Sequence, residues 1–202
     1  MKSCDARLRA SHERGFSLVE MLVVLALFGV IAAIAIPMAR PAVGGYRLAG
    51  SARNIAYEVS LAKMRAAAGF TRARLFVSLA DGTYRIEAWD KSASDWTTDG
   101  GVEQLPPGVS FSFGSATSPP PNTQGTIGQA ALCRDAAGAE IANTACVVFN
   151  SRGIPIDHTG APTGTGAVYI TDGTAVYGAT VMATGMTQLW WTPTRVLAWQ
   201  KQ

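Results

Sequence analysis

The chain has 202 residues, 48% of them hydrophobic and 15% charged, with a formal charge of +3. That suffices for one apolar anchor and one folded domain of ordinary size, and is too little for two soluble domains. It also excludes a generally basic, polyanion-coating protein: Lys2, Arg7, Arg9 and Arg14 less Asp5 and Glu13 give +2 up to Gly15, which leaves +1 for all that follows.

Residues 1–15 form a short, basic, polar leader. Met21 to Ile36 are then all apolar or Gly, a sixteen-residue run near the lower limit for a membrane-spanning helix, and Phe16 to Val19 extend it toward the usual ~20. Glu20 is the odd member. A carboxylate near the bilayer centre costs roughly 2.5 to 3.5 kcal/mol on the lenient insertion scale, so it needs a partner or a use. Positive charge ahead of the helix places the N-terminus in the cytoplasm and residues after Ile36 outside.

Arg14-Gly15-Phe16-Ser17-Leu18-Val19-Glu20 and the apolar run behind it resemble the signal of the type IV pilin and pseudopilin superfamily: a basic leader ending in Gly, then Phe, then an apolar helix with Glu four positions after the Phe. The resemblance covers about the first quarter of the chain. It implies cleavage between Gly15 and Phe16 by a membrane-embedded prepilin peptidase, methylation of the new amine on Phe16, and a use of Glu20 in subunit assembly. It also matches Pro37 to a position where many family helices kink. Physically, an amine freed at Phe16 lies one helical turn from Glu20, and opposite charges attract strongly in low dielectric. Two other readings of the segment stand beside it. One is an ordinary signal anchor with a stray Glu near its cytoplasmic end. The other is a secretory signal peptide cut near Ala33-Ile34-Ala35, against which stand the length of the apolar segment, Glu20 and the polar leader.

After Pro37, residues 38–45 carry Pro41 and the Gly44-Gly45 pair and predict a bend or weak helical stretch. From about Tyr46 to Ala68 a helical pattern follows. Leu48, Ala52, Ile55, Val59, Ala62 and Ala66 form one apolar stripe able to pack on a sheet, and Gly69 stands just beyond its end. The domain boundaries expected are thus a leader over 1–15, a transmembrane assembly helix over 16–36, its continuation over 37–69 and a β-rich head over 70–202.

From Arg72 the period becomes two. Ala73, Leu75, Val77 and Leu79 alternate with Arg72, Arg74, Phe76 and Ser78. Asp81-Gly82 then signals a tight hairpin into Tyr84, Ile86 and Ala88, giving an antiparallel pair with one buried face. Asp90 to Gly101 reads as a polar loop, with short strands at Val102 to Leu105 and Val109 to Phe113 on either side of Pro106-Pro107-Gly108. The Ser, Thr, Gly, Asn and triple-Pro stretch from Gly114 to Gly128 predicts an exposed loop. Further strands are expected at Cys146 to Phe149, Ala167 to Thr171 and Ala175 to Ala183, with short ones near Gln188 to Trp191 and Arg195 to Trp199. One helix followed by antiparallel strands indicates an α+β fold with the helix laid on a sheet. The run Val148-Phe149-Asn150-Ser151-Arg152-Gly153 and the strands after it resemble the GspH/FimT branch of pseudopilins, although Gly185-Met186-Thr187 stands where that branch often has Gly-Arg.

Cys4 lies in the leader, so Cys133 and Cys146 remain as an even pair in an oxidising compartment. A disulfide between them closes a loop of about a dozen residues and stabilises it by roughly 3 kcal/mol; two free, buried cysteines are the alternative. No catalytic constellation, cofactor motif or metal-ligand set emerges. His158 is alone in a turn, the two cysteines lack a second Cys or His pair, and Gly160 to Gly166 lacks the Lys and helix of a phosphate-binding loop.

Arg72, Arg74 and Arg85, with Trp89 nearby, can share the outer face of the first hairpin and are the candidate contacts for nucleic acid; the tail residues Arg195, Trp199 and Lys201 are a lesser set. Trp190 and Trp191 are neighbours in a strand, so they cannot both point inward. The function expected is a minor pilin or pseudopilin of a type II secretion pseudopilus or type IV pilus, with sister subunits, the peptidase and inner-membrane lipid as partners. A pilus-tip DNA-binding minor pilin for DNA uptake and an unprocessed, membrane-anchored periplasmic binding domain are the alternatives.

Overall fold

The computed structural model describes residues 17–196 and 198–202, the side chains of residues 37 and 39–42 excepted. The fold is α+β: among the described residues one helix, α1 (Leu18–Ala68), precedes nine strands. The chain divides into two compact units, one ending at Ala42 and the other running Val43–Gln202.

In the first unit, α1 over Leu18–Ile36 is nineteen residues long, apolar enough to cross a membrane and unburied along its length. The helix does not stop after it. Of the two readings for residues 38–45, a bend or a weak helical stretch, the helical one is found: the element is helical through Pro37, Pro41 and the Gly pair. Two prolines delete two N–H donors, which lowers stability locally without ending a helix whose neighbouring turns stay bonded.

In the second unit, the predicted stripe is the buried face of α1: Leu48, Ala52, Ile55, Val59, Ala62 and Ala66 are all within 2% of complete burial. The helix ends in a Schellman arrangement, with the Thr71 N–H donating to the Ala66 carbonyl and the Phe70 N–H to Ala67. Gly69 does follow the last helical residue, but Phe70 takes the left-handed conformation, at φ 47°.

Two sheets complete the head. Sheet A has the order β3-β2-β1-β4-β5, from β1 (Ala73–Ser78), β2 (Thr83–Asp90), β3 (Asp95–Gln104), β4 (Thr144–Phe149) and β5 (Pro155–Ile156). Sheet B has the order β6-β7-β8-β9, from β6 (Ala167–Thr171), β7 (Ala175–Val181), β8 (Thr187–Pro193) and β9 (Gln200–Lys201). The stripe of α1, the inner residues Leu75, Val77, Val147 and Phe149 of sheet A, and Val168, Ile170, Ala179 and Val181 of sheet B share one core. Tyr169 anchors a smaller cluster with Ala116, Ala167 and Val176. It lies opposite Gly178, where a Cβ would come within 2.5 Å of its ring, so only Gly fits that register.

Several sequence expectations change. The hairpin β1–β2 forms with its turn at Asp81-Gly82, but β1 is the central strand of sheet A and is buried on both faces, Arg74 and Phe76 included. The polar stretch after Asp90 is a strand from Asp95 onward, because Trp96 pairs with Trp89 across β2–β3, ring centroids 5.3 Å apart, and an edge strand tolerates polar residues on its open side. Val109 to Phe113 is not a strand; only Ser110 bridges, to Thr171. Residues 114–128 contain no strand or helix, yet they are not simply exposed. Ala116 is buried, the Gln124 side chain accepts the Tyr169 hydroxyl hydrogen, and the Ser118 carbonyl accepts the Trp199 indole N–H. The last strand comes later than expected, at Gln200–Lys201.

Candidate functional site

The processing residues Gly15 and Phe16 lie outside the described residues. Glu20 lies within them, in the first turn of α1, exposed, amid apolar neighbours. Ser17 precedes the first helical residue and its carbonyl accepts the Met21 N–H. Ser17-Leu18-Val19-Glu20 therefore has the spacing of a capping box, and the negative charge sits at the positive end of the helix dipole. That placement of Glu20 in the first turn was readable in the sequence from its Ser-x-x-Glu spacing.

The candidate nucleic-acid residues come together on the outer face of sheet A, though not as an open basic patch. Arg74 is 3% exposed, and its Nε donates to Glu87 Oε2 at 2.6 Å; Arg85 donates to Glu87 Oε1 at 2.8 Å. Glu87, itself buried, thus neutralises one guanidinium and shares a second. Burial pulls the Arg74 guanidinium below its ordinary range, and Glu87 opposes that shift by charge and hydrogen bonding. The pairing follows from hairpin register, since Arg74 stands opposite Glu87.

Over this face folds the segment leading to Cys133, which is bonded to Cys146 of β4 with Cα atoms 4.9 Å apart. The Arg134 carbonyl accepts from Arg74 Nη1, so the covering segment satisfies a donor of the buried ion pair. A cleft of about 370 Å³ remains beside it, with Arg72, Trp89 and Trp96 on one side and the turn at Asp157 and His158 on the other. Arg72 Cζ lies 4.4 Å from the Trp89 ring centroid, and Arg74 Cζ 3.9 Å from that of Trp96. Asp157 accepts hydrogen bonds from the Thr159 hydroxyl and backbone and from the Ala161 N–H, and the Thr159 side chain foremost holds its carboxyl below the usual range. His158, exposed, lines the cleft beside Asp157. No group of three His, Cys, Asp or Glu able to hold a metal occurs among the described residues. In sheet B, Trp190 and Trp191 are both half-buried, and the Trp190 indole donates to Thr180. The tail residues Arg195 and Lys201 are exposed, Arg195 in the bend between β8 and β9 and Lys201 in β9 of sheet B.

Comparison with known proteins places a prokaryotic N-terminal methylation motif at residues 10–36, which span the Gly15–Phe16 junction, Glu20 and the apolar run. The N-terminal signature on which the resemblance to type IV pilins and pseudopilins rests is therefore present in this chain. Among solved structures, the minor pseudopilin EpsH from the Type 2 Secretion System of Vibrio cholerae is similar over 71% of this chain and 95% of its own, at 11% identity and a TM-score of 0.45. No curated protein matches the sequence.

Proposed function

We propose that this chain is a minor pilin or pseudopilin subunit, a structural component and not an enzyme. A prepilin peptidase cuts it between Gly15 and Phe16 and the new Phe16 amine is methylated. The apolar part of α1 holds the protein in the inner membrane, with the N-terminus cytoplasmic and the head periplasmic, until it enters a filament of sister subunits. The observation carrying this reading is the continuity of the N-terminal methylation motif over residues 10–36 with a nineteen-residue membrane-competent helix whose acidic residue is Glu20. Removing the leader supplies the charge that Glu20 lacks. In the bundle, Glu20 pairs with its own amine or with that of the neighbour already assembled, which offsets the cost of keeping a carboxylate in lipid. The reading covers both a type II secretion pseudopilus and a type IV pilus.

Binding of DNA through Arg72, Arg74 and Arg85 is the weaker reading, because phosphate contacts require accessible cations, whereas Arg74 is buried against Glu87 and Arg85 shares that carboxylate.

The test is N-terminal sequencing of the protein extracted from membranes of its own cells. A start at N-methylated Phe16 supports the reading. An intact leader, or a start near Ile36, overturns it.

A further inference from the structure

The cleft on the outer face of sheet A is not absorbed by an assembly role for α1. Its lining carries three arginines, Arg72, Arg74 and Arg134, and three carboxylates, Asp135, Glu140 and Asp157, so it has no net charge. The charges are unequally engaged. Arg74 is paired with Glu87 beneath the floor, and Arg134 with Glu140 at 2.6 Å. Asp157 accepts the N–H groups of its own turn, and Asp135 that of Ala139. Arg72 alone of the three arginines has no carboxylate and no side-chain hydrogen bond among the described residues, and it is exposed.

Arg72 is nonetheless held in place. Its own carbonyl accepts the Trp89 N–H at 2.8 Å, and its guanidinium lies over the Trp89 ring and 5.6 Å from the Trp96 centroid. Stacking occupies the flat face of a guanidinium and leaves its N–H edge free, a fork matched to the two oxygens of a carboxylate. Beside it, Leu132, Val148 and Ile156 supply apolar wall, and Leu132 is 43% exposed. A polyanion would meet as many acids as bases here, whereas a single carboxylate flanked by a bulky aliphatic group meets one pre-set fork and an apolar wall.

From this we infer that the cleft is a docking site for a peptide segment of another protein that carries a single carboxylate, a Glu or Asp received by Arg72 and adjoining a bulky aliphatic residue seated against Leu132 and Ile156. The inference concerns the head alone and does not depend on filament assembly.

The test uses the full chain in lipid nanodiscs and reads fluorescence anisotropy of labelled, end-capped peptides, Gly-Leu-Glu-Leu-Gly and its counterpart with Gln for Glu, and of a labelled oligothymidylate. The Glu peptide is expected to bind about tenfold or more tightly than the Gln peptide, as a charge-assisted fork requires. Arg72→Ala, at an exposed position and with an unchanged melting temperature, should abolish that preference. Arg72→Lys should restore only part of it, because a point charge lacks the fork. Equal binding of the two peptides, binding of neither up to millimolar concentration, a preference that survives Arg72→Ala, or tighter binding of the oligothymidylate than of the Glu peptide each overturns the inference.

Discussion

Arg74 and Glu87 show how much a single buried pair can constrain. Both lie within 5% of complete burial, and the pair is completed by Arg85 and by the Arg134 carbonyl. Removing one partner of such a pair strands the other charge, which costs about 3–5 kcal/mol. Glu87→Ala should therefore lower the melting temperature by roughly 10 °C in a domain of this size, read by tryptophan fluorescence on heating. Arg85→Ala, which removes the half-exposed partner, should cost far less. Phe70 makes the opposite case. Its backbone is left-handed and its ring is 77% exposed, so it adds strain and little packing. Phe70→Gly should raise stability by about 1 kcal/mol, a shift of a few degrees in the same measurement.

Among the elements, the segment covering sheet A depends most on one covalent link. Cys133 and Cys146 are both nearly buried, and around them pack Phe76, Ile141 and Val148, a cluster separate from the main core. With a sequence separation of 13, the bond restricts the unfolded chain by about 3 kcal/mol. Replacing both cysteines by Ser should lower stability by that order and increase protease cleavage between residues 134 and 141, while α1 and sheet B keep their circular-dichroism signal.

The elements were legible from sequence where one periodicity dominated. The stripe from Leu48 to Ala66 and the hairpin through Asp81-Gly82 needed only helical and alternating patterns. The double burial of β1 was hidden, because a strand whose outer face is buried under an ion pair looks in sequence like a strand with a solvated charged face. Its clue was the register, which sets Arg74 opposite Glu87 once the turn is fixed. β3 was masked by its polar composition, since an open edge strand needs no apolar alternation. The small core around Tyr169 was missed because long-range partners such as Gln124 and Trp199 leave no local signature.

For the whole molecule, the charge at Glu20 and the fold of the head are separable, because they belong to different compact units. Glu20→Ala should leave leader cleavage and the melting of the head unchanged while reducing incorporation into filaments, measured by the share of subunit recovered with sheared or cross-linked polymer. Normal incorporation of that variant would remove the charge-pairing role. The methylation motif was readable from the N-terminal sequence alone; the cleft was not, because Arg72, Trp96, Arg134 and His158 are distant in the chain and meet only after sheet A closes.

The outward side of α1 in the head has one further consequence. Tyr46, Tyr57 and Met64 stand 79, 57 and 54% exposed there, while the opposite side is sealed by the chain's own strands. A rod gripped along one flank can be approached only along the other. Any sister molecule that lies against this stretch must arrive from that single azimuth, so handedness and spacing in a stack of such heads are restricted before any contact between their loops is made.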